Sequence, residues 1–318
     1  MSNQSRRKKM LEQLRKLVGE DHVWINEPMK NHTTFRAGGC ADYLVEPESV
    51  DAVREIVRLC CQENVPYYVV GNGSNLLVSD KGFHGVILHL YKNMSDFEIS
   101  GNHLKAQAGA LLVRVAKMAA KEGLSGLEFA SGIPGTIGGA MVMNAGAYGG
   151  EIKDVVTKVR VLLPDGTIRD YTGEEMAFGY RKSRVIEEQG IVLEAELELK
   201  ADDPEAIAAR MEALKEKRVS KQPLEYASAG STFKRPEGYF AGKLIEDAGL
   251  RGFRVGDAQV SEKHCGFVIN RGNATASEIM ELIQEVQKRV YEQSGVRLEP
   301  EVKLLSGRRE GVSLNTQT

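Results

Sequence analysis

Residues 131–150, SGIPGTIGGAMVMNAGAYGG, gather seven glycines, one proline and one asparagine into twenty positions, with no charged side chain before Glu151. Backbone this bare presents its own N–H groups, because glycine allows positive φ and close approach to a guest. Successive free N–H groups make a concave nest for anions, and phosphate suits it best. A second loop of the same character, Gly71-Asn72-Gly73-Ser74-Asn75, follows an apolar strand pattern upstream. Two such loops predict a diphosphate gripped from both sides, as in a large dinucleotide. The alternative is that the glycines only make tight turns in a small-residue core.

The common nucleotide signatures do not fit. No G-x-x-x-x-G-K-[ST] occurs, and Gly132, Gly135, Gly138 and Gly139 are misspaced for G-x-G-x-x-G, with no suitable acid downstream. Three other segments carry reactive side chains. In residues 226–236, YASAGSTFKRP, Ser231 follows Gly230 and precedes Lys234 and Arg235. No G-x-S-x-G surrounds it and the six histidines are scattered, so a hydroxyl donating toward an anion suits it better than a nucleophile. Local turn chemistry is the plainer explanation of a serine there.

Arg181, within Gly179-Tyr-Arg-Lys-Ser183, has the planar fork that clamps a carboxylate, or is a solvated surface arginine. Glu299 and Glu301 flank Pro300 in an otherwise apolar run over residues 296–305. Alternation along a strand would turn either toward solvent, whereas in a cleft either is an acid/base candidate. No metal is expected, since no histidine pair has ligand spacing. His264 beside Cys265, and Met141 and Met143, read as packing residues.

The elements that must position these residues follow from periodicity. Ser49 predicts an N-cap, with Val50, Val53, Ile56, Val57 and Cys60 as the buried stripe of its helix. Residues 67–70 and 85–90 read as strands around the first glycine loop. A hairpin turns at Ser100-Gly-Asn102, and a helix over residues 111–122 stops at Gly123. Strands over 155–163 and 167–171 flank Pro164-Asp-Gly166, and Ile191, Leu193, Ala195, Leu197 and Leu199 line one face of a half-exposed antiparallel strand. Asp203-Pro204 starts a helix that ends in a basic stretch before Pro223. Thr275 and Glu278 form a capping box for the last helix, which ends at Gly295. Residues 296–305 return as a strand, and the polar tail after Ser306 is expected to be disordered.

Composition bounds the rest. The 318 residues, 42 basic and 44 acidic, leave no charge excess for a nucleic-acid binder. Cys40, Cys60, Cys61 and Cys265 lack metal spacing and read as free thiols of a reducing cytosol, so a cytoplasmic location is expected. The N-terminal residues 5–19 lack a signal-peptide core, and their Leu11, Leu14, Leu17 and Val18 mark an amphipathic helix. No run is long enough to span a membrane, so no membrane insertion is expected. Nor is an obligate protein partner evident.

In order and spacing, NHTTFRAG (from Asn31), GNGSNLLV, SGIPGTIGGA with NAGAYG, GYRKS, AGSTFKRP and LEPEV resemble the UDP-N-acetylenolpyruvoylglucosamine reductase family over nearly the whole chain. The resemblance implies an α+β chain: a two-lobed FAD-binding fold of the vanillyl-alcohol-oxidase/PCMH type with a smaller α+β substrate-binding domain. It implies lobes at residues 1–90 and 91–218, with a strand near 300–306 returning to the first, a substrate domain at 219–300 and a polar tail at 307–318. Non-covalent FAD would be held by Gly71, Asn72, Gly73, Ser74, Asn75 and Leu76 on one side. Ser131, Gly132, Pro134, Gly135, Thr136, Gly138, Gly139, Asn144, Ala145 and Gly146 would hold it on the other.

NADPH would be the hydride donor and a UDP-sugar the substrate. Catalytic roles would fall to Arg181, Ser231 and Glu301, and substrate contacts to Lys221, Lys234 and Arg235. A tyrosine-bearing insertion found in one branch of the family is absent after Arg181, which leaves open what covers the uridine. Another FAD oxidase of the same superfamily and a non-catalytic nucleotide-binding module are the competing readings. Neither glycine loop offers the His or Cys with which such oxidases tether flavin.

Overall fold

In the computed structural model, residues 3–307 are described, so the expected tail lies outside the described residues beyond Gly307. The chain builds its first layer from a four-stranded sheet in the order Val23–Pro28, Cys40–Val45, Phe83–His89, Tyr67–Val70. The first pair is antiparallel and the other two are parallel. Helix Val50–Gln62 covers it with Val53, Ile56, Val57 and Cys60, and Ser49 caps it by accepting the Ala52 N–H at 3.2 Å. The amphipathic N-terminal helix is present as Asn3–Val18, but its buried residues are Met10 and Leu14, whereas Leu17 is 37% exposed.

The second layer is a five-stranded, wholly antiparallel sheet in the order Ile168–Thr172, Val156–Leu162, Ile191–Glu198, His103–Gln107, Phe97–Ser100. The alternation along Ile191–Glu198 is realised: Ile191, Leu193, Ala195 and Leu197 are buried beneath a face of glutamates. Helices Leu112–Lys121, Ile137–Met143 and Pro204–Lys221 accompany this sheet. The short helix Ile137–Met143 corrects the reading of residues 131–150 as one glycine loop. Thr136 caps it, and Ile137, Ala140, Met141 and Val142 supply enough apolar surface to bury it despite two glycines.

A third unit stacks the strands Arg254–Val255, Ala258–Val260 and Val268–Asn270 under helices Ala241–Asp247 and Ala276–Ser294. The long helix carries the Thr275–Glu278 capping box and ends on Gly295 at φ 71°. Residues 296–305 are not one strand. Only Lys303–Leu305 is, paired in parallel with Leu76–Val78. Pro300 cannot donate to a ladder, and the segment before the strand instead crosses the third unit: Lys234 N–H donates to Glu299 O and Glu301 N–H to Thr232 O, both at 2.8 Å. That crossing places Glu301 between units.

Candidate active site

The two glycine loops touch. A Cβ on Gly71 would stand 2.3 Å from Thr136 Oγ1, so only glycine lets the loops meet there. Asn72 Nδ2 donates to Pro134 O at 2.6 Å. Beneath them, residues 31–36 form a third wall: Thr34 N–H donates to Gly73 O at 3.2 Å, and Gly73 at φ 59° leaves no room for a Cβ beside His32 O. Among the described residues, no partner engages the amides of Asn72, Gly73, Ser74 and Asn75, nor those of Gly135 and Thr136. These residues are buried or half-buried, and all but Gly73 line a cavity, an arrangement that calls for an acceptor from outside the chain.

The cavity they border has a volume of about 840 Å³. Organic cofactor sites run roughly 300–1,000 Å³, so a dinucleotide is of suitable size. Its walls include Asn72, Ser74, Asn75, Gly132, Pro134, Gly135, Thr136, Gly139, Ala145 and Gly146. Other residues anticipated on it lie elsewhere, Gly71 and Gly73 at the contacts with Thr136 and His32. Leu76 is fully buried in its strand, and Ser131 donates to Glu128 O at 2.8 Å. The Gly138 amide is spent on Ala108 O at 2.8 Å. Asn144, at φ 43°, ends the short helix and is buried, its amide donating to Glu151 at 2.9 Å and to Gly179 O at 3.0 Å.

That last bond hangs the Arg181 turn from the glycine segment. Gly179 and Lys182 exchange N–H···O bonds of 3.0 and 3.2 Å, and Ser183 Oγ donates to Val142 O at 2.8 Å. Arg181 sits at the tip with φ 54°, a left-handed conformation that non-glycine residues adopt at a cost and that clusters at functional sites. Its Nε lies 2.5 Å from Glu301 Oε1. Burial pushes the Glu301 carboxyl above the usual carboxylate range, even though Arg181 opposes the shift. Asn75 Nδ2 donates to Glu301 O at 3.1 Å, which joins the first glycine loop to the same point.

Ser231 follows Gly230 at φ 74° and is exposed, while its neighbour Thr232 is fully buried. The Thr232 hydroxyl accepts the Val268 N–H at 2.8 Å and its amide donates to Gly266 O at 2.9 Å. Thr232 therefore holds the loop, leaving Ser231 the free hydroxyl.

A second cavity, about 360 Å³, lies on the side of the third unit. Its walls carry Arg181, Arg235, Lys243, Arg251 and Lys263, with Tyr180 and Phe240. Among the described residues only Arg181, Ser231 and Glu301 line both cavities. They form the partition between the two spaces.

Family models match twice: a UDP-N-acetylenolpyruvoylglucosamine reductase C-terminal domain over residues 222–305 and an FAD binding domain over residues 41–172. The UDP-N-acetylenolpyruvoylglucosamine reductase of Clostridioides difficile is 50% identical over 289 residues, covering 91% of this chain and 95% of that protein. That of Agathobacter rectalis is 53% identical over 292 residues, covering 88% and 93%. The chain belongs to the UDP-N-acetylenolpyruvoylglucosamine reductase family. The solved reductase of Thermus caldophilus superposes with a TM-score of 0.78 at 38% identity, over 89% of this chain and 98% of that one. Substrate-bound p-cresol methylhydroxylase, at 16% identity and a TM-score of 0.50, covers 94% of this chain and 66% of its own, and shares the fold alone. The chain is a flavin-dependent oxidoreductase of α+β fold that uses FAD.

Within the family frame, the three anticipated substrate cations separate. Arg235 lines the smaller cavity, but Lys221 and Lys234 line neither. Lys234 is consumed by an ion pair with Glu299, and Lys221 ends its helix in solvent.

Arg218 is a cavity residue that sequence reasoning passed over. Its guanidinium lies so close to Gly132 that a Cβ there would stand 2.5 Å from Nη1. Among the described residues no carboxylate pairs with it, and burial pulls its pKa below the ordinary value. The sequence showed it only as one more base in a helix end. His32, His89 and Tyr91 also line the larger cavity, with His32 held by Glu27 and His89 by Glu46, each at 2.9 Å. The NHTTFRAG segment was visible, but nothing in it distinguished His32 from a packing residue. Among the described residues no His/Cys/Asp/Glu group could hold a metal, and no helix is long and apolar enough to cross a membrane.

Proposed function

We propose that Arg181, Ser231 and Glu301 form the reaction centre for NADPH-dependent reduction of the enolpyruvyl group of UDP-N-acetylglucosamine enolpyruvate to UDP-N-acetylmuramate, a step of peptidoglycan precursor synthesis in the cytoplasm. Their shared place between the two cavities carries this reading. The larger cavity fits non-covalent FAD, and the smaller fits the UDP-sugar. Residues 1–90, with the returning strand, and 91–218 are the two lobes around the cofactor, and 219–300 the substrate domain.

The free amides of residues 72–75, Gly135 and Thr136, with Arg218, hold the FAD diphosphate and compensate its charge. FAD supplies the two-electron chemistry that links NADPH to the enol ether. Reduction places hydride on the β carbon and requires a proton at the α carbon. As the double bond is consumed, negative charge spreads onto the substrate carboxylate. Arg181 faces that carboxylate with a cation whose turn is fixed by Asn144 and Ser183, so little reorganisation is needed as charge builds. Glu301, whose carboxyl burial pushes above the usual carboxylate range, accepts from Arg181 at rest and donates a hydrogen bond to the same charge when it is protonated. Ser231 Oγ gives its proton to the α carbon, and the adjacent cations ease the alkoxide.

Ser231→Ala tests this. Anaerobic stopped-flow absorbance should show NADPH reduction of the flavin near the wild-type rate. Reoxidation by the UDP-sugar should slow about 10²–10⁴-fold. Thr232→Val is the control, and its hydroxyl serves the loop, so it should cost stability first. Equal, mild slowing in both variants would contradict the role of Ser231.

A further inference from the structure

The smaller cavity contains an aromatic residue that neither the catalytic centre nor the fold accounts for. Phe240 is 62% exposed, the largest exposure among the exposed large hydrophobic residues of the described chain. A single exposed phenylalanine is ordinary on a protein surface, but one on the wall of a ligand cavity is placed to meet what enters it. Its position is fixed: its carbonyl accepts the N–H groups of Lys243 and Leu244, at 3.0 and 3.1 Å, where helix Ala241–Asp247 begins. The Arg235 guanidinium covers one face of the ring, 4.1 Å from its centroid.

Of the other aromatic rings on this wall only Tyr180 is also open, at 50% exposure. Phe233 is 4% exposed and belongs to the core. Tyr180 carries Arg181 over one face at 5.0 Å as Phe240 carries Arg235, but its hydroxyl is spent on the Arg235 N–H at 3.1 Å and it adjoins Arg181 at the partition, where the enolpyruvyl group belongs. The His264 ring meets Phe267 edge-on at 5.0 Å, and its Nδ1 accepts the Gly266 N–H at 3.0 Å.

The cations set the order of ligand parts. Arg181 is engaged with Glu301, Lys243 with Asp247 and Arg251 with Glu246, the last two at 2.6 and 2.7 Å. Among the described residues Arg235 and Lys263 are the wall cations with no carboxylate partner; Lys263 Nζ donates one bond to Val219 O at 2.7 Å and keeps its charge and two further donors. A diphosphate needs two such charges. With the enolpyruvyl group at the partition and the diphosphate on Arg235 and Lys263, the nucleobase extends toward the rim.

We propose that Phe240 is the platform on which the pyrimidine ring of the UDP-sugar stacks, with Arg235 behind the phenyl ring and bridging to the diphosphate. The inference rests on the assignment of the smaller cavity to the substrate. A cation on one face of a phenyl ring leaves its other face free for a base, and base–aromatic stacking is sequence-tolerant but strong.

Calorimetric titration of the FAD holoenzyme with UDP and, separately, with inorganic pyrophosphate tests it, using wild type, Phe240→Leu and Phe240→Trp. Matching flavin spectra and melting temperatures establish that the variants are folded. The leucine variant should bind UDP about tenfold or more weakly, the tryptophan variant should restore binding, and pyrophosphate affinity should be unchanged in both. Undiminished UDP affinity in the leucine variant overturns the inference and leaves the substrate cavity standing. A parallel loss of UDP and pyrophosphate also overturns it, since Phe240 would then serve only to place Arg235. Wild-type holoenzyme that binds neither probe overturns the substrate cavity itself.

Discussion

The two cavities that meet at Arg181, Ser231 and Glu301 are built from different material. The larger is walled in large part by glycine loops, several of whose amides have no partner among the described residues, and charged side chains such as Arg36, Lys92 and Arg218 are a minority of its wall. The smaller is walled by side chains, five of them cationic. Backbone amides are placed once, by folding, and need no rotamer ordering when a ligand arrives, which suits a group that stays bound. Flexible cations must be ordered at each encounter but steer a charged ligand in and let it leave. The contrast matches a resident cofactor beside a substrate that turns over.

Replacing Gly135 by Val should strike hardest. A Cβ there has open space, 3.7 Å from Ser74 Oγ, so the branched side chain enters the cofactor cavity without breaking the loop. The variant should fold, with unchanged circular dichroism, yet purify colourless and inactive. Gly138→Val should behave differently, because that glycine is buried and its amide supports Ala108 O. Misfolding, rather than selective flavin loss, is expected there. Normal flavin content in Gly135→Val would show that the wall does not meet the cofactor.

On the side-chain wall, Arg181→Lys should keep flavin but lose the forked contact to the substrate carboxylate. Turnover with the UDP-sugar is expected to fall about 10²–10³-fold, the scale of one lost charge-stabilising donor. Steady-state kinetics at saturating substrate checks it. Wild-type turnover would mean the guanidinium does not face developing charge.

Arg218→Gln probes the cation that stands against the glycine loop at Gly132 on the backbone-lined side. If it neutralises the FAD diphosphate, affinity should drop about ten- to a hundredfold, as for a charged hydrogen bond worth roughly 1.5–3 kcal/mol. Fluorescence titration of apoprotein with FAD gives the number. Unchanged affinity would move Arg218 to the substrate side of the comparison.

The smallest effect concerns how the units are joined. Asp80 accepts the amides of Ala276 and Ser277 at 2.8 Å each, together with the Ser277 hydroxyl, and so ties the first unit to the long helix of the third. Asp80→Ala should cost about 1 kcal/mol, as loss of a helix N-terminal acceptor does. Burial alone would raise the Asp80 pKa, but the hydrogen bonds outweigh it and hold the carboxyl below its ordinary value. A depressed folded-state pKa gives stability that is complete above the unfolded value of about 3.9 and is lost as pH falls through the folded value. The gap between wild type and variant in urea unfolding should therefore shrink near pH 3 and hold at pH 7. A gap independent of pH would contradict the assignment.

Much of this was legible in the sequence where local chemistry decides. Capping at Ser49, Asp203 and Thr275, the turn at Gly101 and the alternation of Ile191–Glu198 each rest on neighbours in the chain, and the structure has them. The glycine loops were legible as bare backbone with open amides for the same reason. What failed depended on distant contacts. Residues 296–302 look like a strand, but their partners are Lys234 and Thr232, so only a single antiparallel bridge, Phe233 to Pro300, forms there. Lys234 looked like a free cation because Glu299, its partner, is distant in sequence. Arg218 and Phe240 are an ordinary helix base and an ordinary aromatic until folding sets one over Gly132 and leaves the other bare at a cavity rim. The special character of Arg181 lies in its left-handed backbone, which no residue type announces.

The central claim is that cofactor and substrate meet at the partition made by Arg181, Ser231 and Glu301. A crystal structure of the oxidised holoenzyme with the enolpyruvyl UDP-sugar tests it most directly. The account predicts the flavin ring system ending the larger cavity at this partition, the substrate carboxylate on Arg181, and Ser231 Oγ within about 3.5 Å of the α carbon, the distance of a near-attack geometry. An enolpyruvyl group seated away from these three residues, or a flavin outside the glycine-walled cavity, would contradict it.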